Sequence, residues 1–180
     1  MSLRKVVAYV LLSIDGVAEH PEEFFEWDDE VDALAADVTA TQDAVILGRR
    51  SYDEWAAFWP GSEIEPFSTF INGVTKYVAT STPLADWENS TAITGDLVDF
   101  VQDLKRRPGG DIGVHASISV TQALLAAAVV DELVLAIAPR IVGNGRRLFD
   151  GLPPIQLELI RTQRSPGGHL LATYRTSATA

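Results

Sequence analysis

Short apolar runs that alternate with segments of helical spacing are the feature that most constrains this chain. Val6 to Leu12 is apolar and rich in β-branched residues, and an Asp-Gly turn follows it, which predicts a buried strand and then a loop. Asp28 to Ala40 carries apolar residues at positions i, i+3, i+4 and i+7, which predicts an amphipathic helix. Strands that alternate with helices in this way predict an α/β domain with a largely parallel sheet.

The alternation continues along the chain and ends in two consecutive strands. Residues 155–160 and 169–175 flank Ser165-Pro166-Gly167-Gly168, which predicts a C-terminal antiparallel hairpin. Residues 1–180 are expected to form one domain, since this length fits a single core. Further strands are predicted at 44–47, 76–79, 91–94, 111–114 and 133–137, helices at 52–58, 97–107 and 119–129, and irregular structure at 19–27 and 62–73.

The composition excludes several classes of function. The chain has no cysteine, which excludes disulfides, iron–sulfur clusters and thiolate zinc sites. Its histidines, His20, His115 and His169, lack metal-ligand spacing, so no metal site is expected. The net charge of -11 argues against nucleic acid and anionic membranes as partners. We find no targeting signal and no apolar run long enough to span a bilayer, and we expect a cytoplasmic protein.

Three loops that follow predicted strands have the composition of an anion-binding site. Ligands of such sheets bind at the carboxyl ends of the strands, where these loops would meet. Gly48-Arg49-Arg50-Ser51 offers a sharp turn, two guanidinium groups and a helix N-terminus, all suited to phosphate. Thr80-Ser81-Thr82 offers hydroxyl groups, and the small residues in His115-Ala116-Ser117 would admit a pyrophosphate to the next helix. Each loop could equally serve only as a helix cap or a turn, and the local sequence pattern does not distinguish this structural role from ligand binding.

In their order along the chain, these loops resemble proteins of the dihydrofolate-reductase-like superfamily. The stretch Val45-Ile46-Leu47-Gly48-Arg49-Arg50-Ser51-Tyr52, with Trp59-Pro60 downstream, is similar to the superfamily's cofactor loop. Ser13-Ile14-Asp15-Gly16 resembles the form usual in the C-terminal reductase domain of the bacterial riboflavin-biosynthesis deaminase–reductase. Segments 111–117, 124–125, 130–133 and 139–149 follow in the family's order. The resemblance covers nearly the whole chain and implies a three-layer α/β/α fold with a mixed, mostly parallel sheet.

The resemblance also implies an activity and a cofactor. It implies a NADPH-dependent reductase of a small heterocyclic substrate, similar to 5-amino-6-(5-phosphoribosylamino)uracil reductase, and a homodimer. Arg49 and Arg50 would approach the 2′-phosphate side of NADPH, and Ser51 the pyrophosphate. The residues at 80–82 would line the adenosine ribose, and those at 115–118 would run beneath the pyrophosphate and nicotinamide ribose. The implied cofactor residues are Gly16, Gly48, Arg49, Arg50, Ser51, Thr80, Ser81, Thr82, His115, Ala116, Ser117 and Ile118.

The sequence indicates the catalytic and substrate-binding residues less directly than the cofactor-binding residues. Asp15 lies on the loop that would close over the nicotinamide, and it is the candidate catalytic residue, with an ordinary Asp-Gly turn as the alternative. The acids in 28–40 look like an N-terminal charge cluster, and none matches the acid that dihydrofolate reductases place on this helix. Candidates for the substrate pocket are Ser13, Trp27, Tyr52, Trp55 and Trp59, of which the aromatic residues also fit a core.

The sequence departs from the family in ways that leave alternatives open. The family usually has Gly where Ala116 stands, and the added methyl would weaken the approach of a pyrophosphate. The zinc deaminase motif is absent, and the cofactor arginines are the main basic cluster available to a ribose phosphate. The alternatives are therefore a different substrate, a NADPH-binding protein without catalysis, or a structural homo-oligomer. The interface of an oligomer would use residues 133–141 and the C-terminal strands.

Overall fold

The computed structural model describes residues 4–176, which form a mixed sheet with helices on both faces. The strands are β1 (Val6–Leu12), β2 (Gln42–Gly48), β3 (Thr75–Ala79), β4 (Ser90–Ala92), β5 (Asp111–His115), β6 (Glu132–Ile137), β7 (Leu157–Arg164) and β8 (Leu170–Thr176). The helices are α1 (Asp29–Thr39), α2 (Arg49–Phe58), α3 (Phe67–Gly73), α4 (Leu97–Lys105) and α5 (Ile118–Ala126). The strand order is β4-β3-β2-β5-β1-β6-β8-β7, and β8 is antiparallel to both of its neighbours. The predicted fold class and the C-terminal hairpin are confirmed.

Alternate residues of the central strand β1 point to opposite faces of the sheet, as the pleat requires. Val6, Ala8 and Val10 belong to the core cluster that includes residues of α4 and α5. Val7 and Tyr9 point to the other face, where they pack in a cluster with residues of α1. A third cluster packs α2 and α3 on β2 and β3, and it is separate from the cluster at α1. The separation of these two clusters leaves a gap on this face of the sheet.

The helices differ in how their N-termini are capped. The Asp28 carboxylate accepts a hydrogen bond from the Val31 amide at the start of α1, at 3.0 Å. Asp96 does the same at the start of α4, as predicted from the sequence. The helices α2 and α5 begin after Gly48 and Ser117, and neither has a side-chain cap. Their first N–H groups have no cap that would compete with a ligand.

The structure corrects the prediction of irregular structure at 62–73, because Phe67–Gly73 is the helix α3. A helix of this length is unstable alone and depends on tertiary packing. Ile71 is fully buried in the core beneath it. The buried Lys76 ammonium donates to the carbonyls of Ile71 and Val74 at the end of the helix, at 2.8 and 2.9 Å. These contacts come from outside the helix, so its own sequence does not predict it.

The structure also bears on the expected oligomer interface. Residues 133–136 lie in β6 between β1 and β8 and are at most 4% exposed, so they serve the core of this chain and cannot form an interface. Ile141 and the hairpin residues Leu159, Ile160 and Leu170 are exposed. Within residues 4–176, every helix is too short or too polar to cross a bilayer.

Candidate active site

A cleft of about 1090 Å³ occupies the gap between α1 and the α2–α3 pair. Tyr9 of β1 and His115 of β5 are opposite each other in the sheet, and both line the cleft. Asp32 of α1 and Trp55 of α2 line it from the two helical walls. Residues 48–51 and 115–121 line it at the carboxyl ends of the strands, which is where ligands of such sheets bind. The cleft is large enough for two ligand moieties side by side.

Hydrogen bonds join the first and third predicted loops. The Ser51 hydroxyl donates to the Ala116 carbonyl at 2.8 Å, and the Gly48 amide donates to the Ser117 hydroxyl at 2.9 Å. The starts of α2 and α5 therefore lie side by side, with Ile118 also at the cleft. The Ser51 hydroxyl is therefore engaged with protein, and at this helix N-terminus the free groups that can bind an anion are backbone amides.

Arg49 joins the second loop to the first. Its guanidinium donates to the hydroxyls of Thr80 and Thr82, to the Pro83 carbonyl at 2.9 Å, and to Asp53. A second cavity of about 600 Å³ opens beside it and is lined by Arg49, Thr80, Ser81 and Thr82. All three predicted loops thus meet at one end of the cleft, with hydroxyls and a guanidinium facing the smaller cavity.

Arg50 lies on the rim of the cleft and is held by carboxylates. It forms ion pairs with Glu19 at 2.9 Å and Glu54 at 3.1 Å. The Arg146 amide donates to Glu19 as well, and this bond, with that from Arg50, lowers the pKa of the Glu19 carboxyl. The Arg146 guanidinium donates to Ser119 at 2.8 Å at the start of α5. Arg146 is a cleft residue that the sequence patterns did not single out as a site.

The structure places Asp15 away from the cleft. Its carboxylate accepts hydrogen bonds from the Ser13 hydroxyl at 2.7 Å and from the amides of Val142 and Gly143 at 3.0 and 2.8 Å. The Ser13 hydroxyl and these amides hold the pKa of Asp15 well below its usual range. A carboxylate held ionised is a poor proton donor. Asp15 fixes the loop after β1, so the expected catalytic role of Asp15 does not fit this geometry.

Ser13 and Gly16, which flank Asp15, also stabilise the loop after β1. Ser13 is 1% exposed, and its hydroxyl accepts from the Val17 amide while donating to Asp15. Gly16 has a φ of 82°, a left-handed conformation that favours glycine, and its carbonyl accepts from the Leu148 amide. Neither residue lines the cleft, so their expected contacts with substrate and cofactor also do not fit.

Three of the four aromatic candidates line the cleft. Trp27, Trp55 and Trp59 form parts of its walls. Tyr52 is fully buried on the opposite side of α2, where its hydroxyl donates to the Ala85 carbonyl at 2.7 Å. Its ring packs on Trp87 with centroids 5.7 Å apart. Tyr52 therefore belongs to the core, which corrects its expected place in the substrate pocket.

His115 contributes shape to the floor of the cleft more than charge. Its imidazole is 2% exposed, and Nε2 lies 2.8 Å from Oε1 of Gln42. Burial lowers the pKa of His115 to about 4, so the ring is neutral at physiological pH. Tyr9 packs edge-on against it at 6.1 Å between ring centroids.

Sequence patterns missed two polar residues that the structure brings to the cleft. Tyr9 is 6% exposed, and its buried hydroxyl has no hydrogen-bond partner among residues 4–176. Asp32 forms no ion pair or hydrogen bond with any described side chain. The signal for Asp32 was its spacing: Asp32, Ala35, Ala36 and Thr39 are at i, i+3, i+4 and i+7, and all line the cleft.

Comparisons with known proteins agree with this architecture. Residues 4–171 match the family model of the RibD C-terminal domain. The uncharacterized protein YyaP of Bacillus subtilis (strain 168) is 25% identical over 178 residues, which covers 95% of this chain and 94% of YyaP.

Two solved structures share the fold. A pyrimidine reductase-like protein from Corynebacterium diphtheriae NCTC has a TM-score of 0.73 at 17% identity, covering 98% of this chain and 93% of that one. The dihydrofolate reductase from Enterococcus faecalis complexed with NADP(H) has a TM-score of 0.67 at 16% identity and covers 97% of each chain. Together with the match to nearly the whole described chain, these findings lead to one conclusion: this chain belongs to the RibD C-terminal domain family.

Proposed function

We propose that this chain is a NADPH-dependent reductase of a small heterocyclic substrate. The observation that carries the proposal is the pair of uncapped helices, α2 and α5, whose N-termini adjoin at one end of the cleft. The helices α1 and α4 carry Asp caps, and α3, although its N-cap residue is Pro66, donates its Thr69 amide to the Glu65 carboxylate, whereas no side chain accepts from the first amides of α2 and α5. Paired helix N-termini with free N–H groups suit the two phosphates of a dinucleotide.

The residues at this end fit the remainder of NADPH. Arg49 faces the smaller cavity with Thr80, Ser81 and Thr82, and a guanidinium with nearby hydroxyls suits a phosphate monoester on a ribose. NADPH, when bound, supplies the hydride, and the protein supplies binding, orientation and electrostatics. The neutral floor at His115 and the aromatic walls would orient a flat ring and exclude water from it.

A NADPH-binding protein without catalysis is a second candidate, because Asp15 is held ionised away from the cleft and Ala116 keeps a methyl at the start of α5. Oxidation of NADPH in the presence of pyrimidine and pterin substrates separates the two. Turnover with any of them supports the reductase. Tight NADPH binding without turnover across the panel supports the binding protein.

Calorimetric titration with NADPH and NADH tests the cofactor assignment. We expect Arg49→Ala to weaken NADPH binding by about 10- to 100-fold, the value of a charge-assisted hydrogen bond, and to affect NADH much less. Arg50→Ala should have a smaller effect, because Arg50 lies on the rim of the large cleft between Glu19 and Glu54, whereas Arg49 also lines the smaller cavity beside Thr80. Arg106→Ala is the matched control, since Arg106 is exposed at the end of α4 and pairs with Asp103.

Two outcomes contradict the cofactor assignment. One is the absence of NADPH binding at millimolar concentration. The other is equal loss of NADPH and NADH affinity in the Arg49 variant, which would mean that Arg49 only supports the Thr80 loop. Arg49→Lys keeps the charge but loses the fork of donors, and we expect intermediate affinity.

We further propose a homodimer formed through the C-terminal hairpin. Leu159, Ile160 and Leu170 are 52%, 45% and 46% exposed on β7 and β8, which is unusual for large apolar residues on neighbouring strands. Sedimentation equilibrium tests this, with Leu159→Lys as the variant expected to give a monomer. A monomeric wild type would contradict it.

A further inference from the structure

Four buried side-chain polar atoms lack a hydrogen-bond partner among residues 4–176, and two of them line the large cleft. These two are donors: the Tyr9 hydroxyl on the floor and the indole N–H of Trp59 on the wall, directly after α2. The other two atoms, on Gln42 and His169, lie outside the cleft. Most buried polar groups of folded proteins are paired, so two free donors at one cleft indicate that an acceptor is missing there.

The Tyr9 hydroxyl is held on the floor of the cleft as a donor. Tyr9 lies in the middle of β1, and its ring packs edge-on against His115 with centroids 6.1 Å apart. Burial, and secondarily the charge of Asp32, raises the pKa of Tyr9, so the phenol stays protonated. Solvent does not reach the buried oxygen, so water does not supply the acceptor that the described residues lack.

The Trp59 indole is fixed on the wall of the cleft. The Trp59 carbonyl accepts from the Asn72 side chain of α3 at 2.9 Å, and Asn72 accepts from the Trp87 indole at 2.8 Å. The Trp59 ring packs against Phe67 at 4.8 Å and Trp55 at 5.9 Å between centroids. These contacts fix the residue without giving its N–H an acceptor. Because an indole nitrogen only donates, only an acceptor can satisfy it.

The surface between the two donors is aromatic and uncharged. His115 packs against Tyr9 and also against Phe67 at 6.0 Å between centroids, and Phe67 packs on Trp59. Burial lowers the pKa of His115 to about 4, so this surface carries no charge at physiological pH. Aromatic faces of this kind favour a flat ring. Phe58 lines the cleft, is 54% exposed and packs on Trp59 at 5.0 Å, so a shift of the Phe58 ring would open the indole N–H to a ligand.

We propose that the cleft binds a flat, uncharged ring with two hydrogen-bond acceptors, one at the Tyr9 hydroxyl and one at the Trp59 indole N–H. Ring carbonyl oxygens suit both places, because a carbonyl accepts hydrogen bonds and offers no competing donor. Each bond removes the cost of a buried donor without a partner, whereas an apolar ring leaves both costs in place. This inference rests on the proposed function for the reaction, but the binding preference can be measured without it.

Three bicyclic probes of similar size test the preference: phthalimide with two ring carbonyl oxygens, isoindolin-1-one with one, and indane with none. Calorimetry or ligand-observed NMR with the full chain gives their affinities, without cofactor and at a pH where all three are uncharged. We expect affinity to fall about 10-fold from phthalimide to isoindolin-1-one and about 10-fold again to indane, which is the value of satisfying one buried donor at each step. Equal affinities overturn the proposal, as does the absence of phthalimide binding at millimolar concentration.

Tyr9→Phe assigns one of the two acceptors to the floor. It should weaken phthalimide about 10-fold and leave indane within about twofold, because only the hydroxyl is removed. Tyr52→Phe is the matched control, since the buried Tyr52 hydroxyl already donates to the Ala85 carbonyl, and it should leave all three affinities unchanged. Equal effects of the two substitutions would place the loss outside the cleft and overturn the role of Tyr9.

The indole N–H signals of the four tryptophans assign the other acceptor to the wall. In NMR spectra of ¹⁵N-labelled protein, phthalimide should move the Trp59 indole proton downfield, as a new hydrogen bond requires, and indane should not. The Trp87 indole is the control within the same sample, because it already donates to Asn72 and should stay in place. Both probes contain a benzene ring, so equal shifts with phthalimide and indane would report only ring proximity and would overturn the role of Trp59.

These outcomes are separate from those for the cofactor. Equal affinities of the three probes with intact NADPH binding would refute the acceptor preference and leave the reductase proposal standing. The expected order of probes in a protein that does not bind NADPH would refute the reductase and leave the binding site.

Discussion

The buried tyrosines Tyr9 and Tyr52 allow the same substitution to be compared in two environments. Both side chains are almost fully buried, at 6% and 0% exposure. The Tyr52 hydroxyl donates to the Ala85 carbonyl at 2.7 Å, whereas the Tyr9 hydroxyl has no partner among the described residues. Replacing each by Phe removes one oxygen and keeps the ring, so the change in stability reports the hydroxyl.

The two substitutions should change the free energy of unfolding with opposite signs. Tyr52→Phe loses a hydrogen bond, so it should lower the free energy of unfolding by about 1 kcal/mol. Tyr9→Phe removes the burial of an unsatisfied hydroxyl, which costs about 1–3 kcal/mol, so it should stabilise by about 1 kcal/mol after loss of some packing. For a chain of this size the melting temperatures of the two variants should differ by about 4–8 °C.

Urea unfolding of the wild type and both variants checks this prediction. An unchanged slope of free energy against urea would show that the unfolded states are comparable. If Tyr9→Phe destabilises as much as Tyr52→Phe, the Tyr9 hydroxyl has a partner within the folded protein. The Tyr9 hydroxyl would then not be free to bind a ligand.

Two further substitutions test the backbone and the floor of the cleft. Ala116 has a φ of 52°, and Ala116→Gly should strengthen NADPH binding several-fold while changing stability by less than about 0.5 kcal/mol, since relief of strain is offset by the entropy of glycine. Ala128→Gly, at a φ of 54° beyond the end of α5, is the control that should leave calorimetric NADPH affinity unchanged. Burial lowers the pKa of His115 from 6.5 to about 4 in the folded protein. As the pH drops from 6.5 to 4, the imidazole is therefore protonated in the unfolded chain before it is protonated in the folded one. The free energy of unfolding should fall by about 3 kcal/mol over this range. His115→Gln should flatten this part of the pH dependence in urea unfolding, and an unchanged profile would contradict the assignment.

The elements predictable from sequence are those whose signal is local. The apolar run of β1, the i, i+3, i+4, i+7 pattern of α1 and the cap at Asp96 each lie within one segment, and the structure has all three. The helix α3 was missed because the contacts that stabilise it come from Lys76 and from the core beneath Ile71. Tertiary packing decides the structure of such short segments.

The candidate site was predictable in part for the same reason. Residues in the three loops face one another because strand order brings their ends together, which the alternation of strands and helices implies. Asp15 looked like a free carboxylate because its partners Val142 and Gly143 lie about 130 positions away, and no local pattern shows them. Asp32 was hidden for the opposite reason: it stands among the acids that favour the start of a helix, so a common local explanation covered it.

Several features that are unfavourable in a free protein occur together around the cleft. The helices α2 and α5 lack caps while α1 and α4 have them, Ala116 adopts a left-handed conformation, and the Tyr9 hydroxyl is buried without a partner. Each of these features is unfavourable in the free protein by about 1 kcal/mol or more. Their coincidence at one cleft is what a binding site requires, because a ligand with two phosphates and a ring acceptor would satisfy the caps and the hydroxyl at once. For the uncapped helices and the Tyr9 hydroxyl, the same groups therefore determine both stability and affinity. A variant that caps α2 or α5, or that removes the Tyr9 hydroxyl, should raise the melting temperature of the free protein and lower its affinity for the ligand.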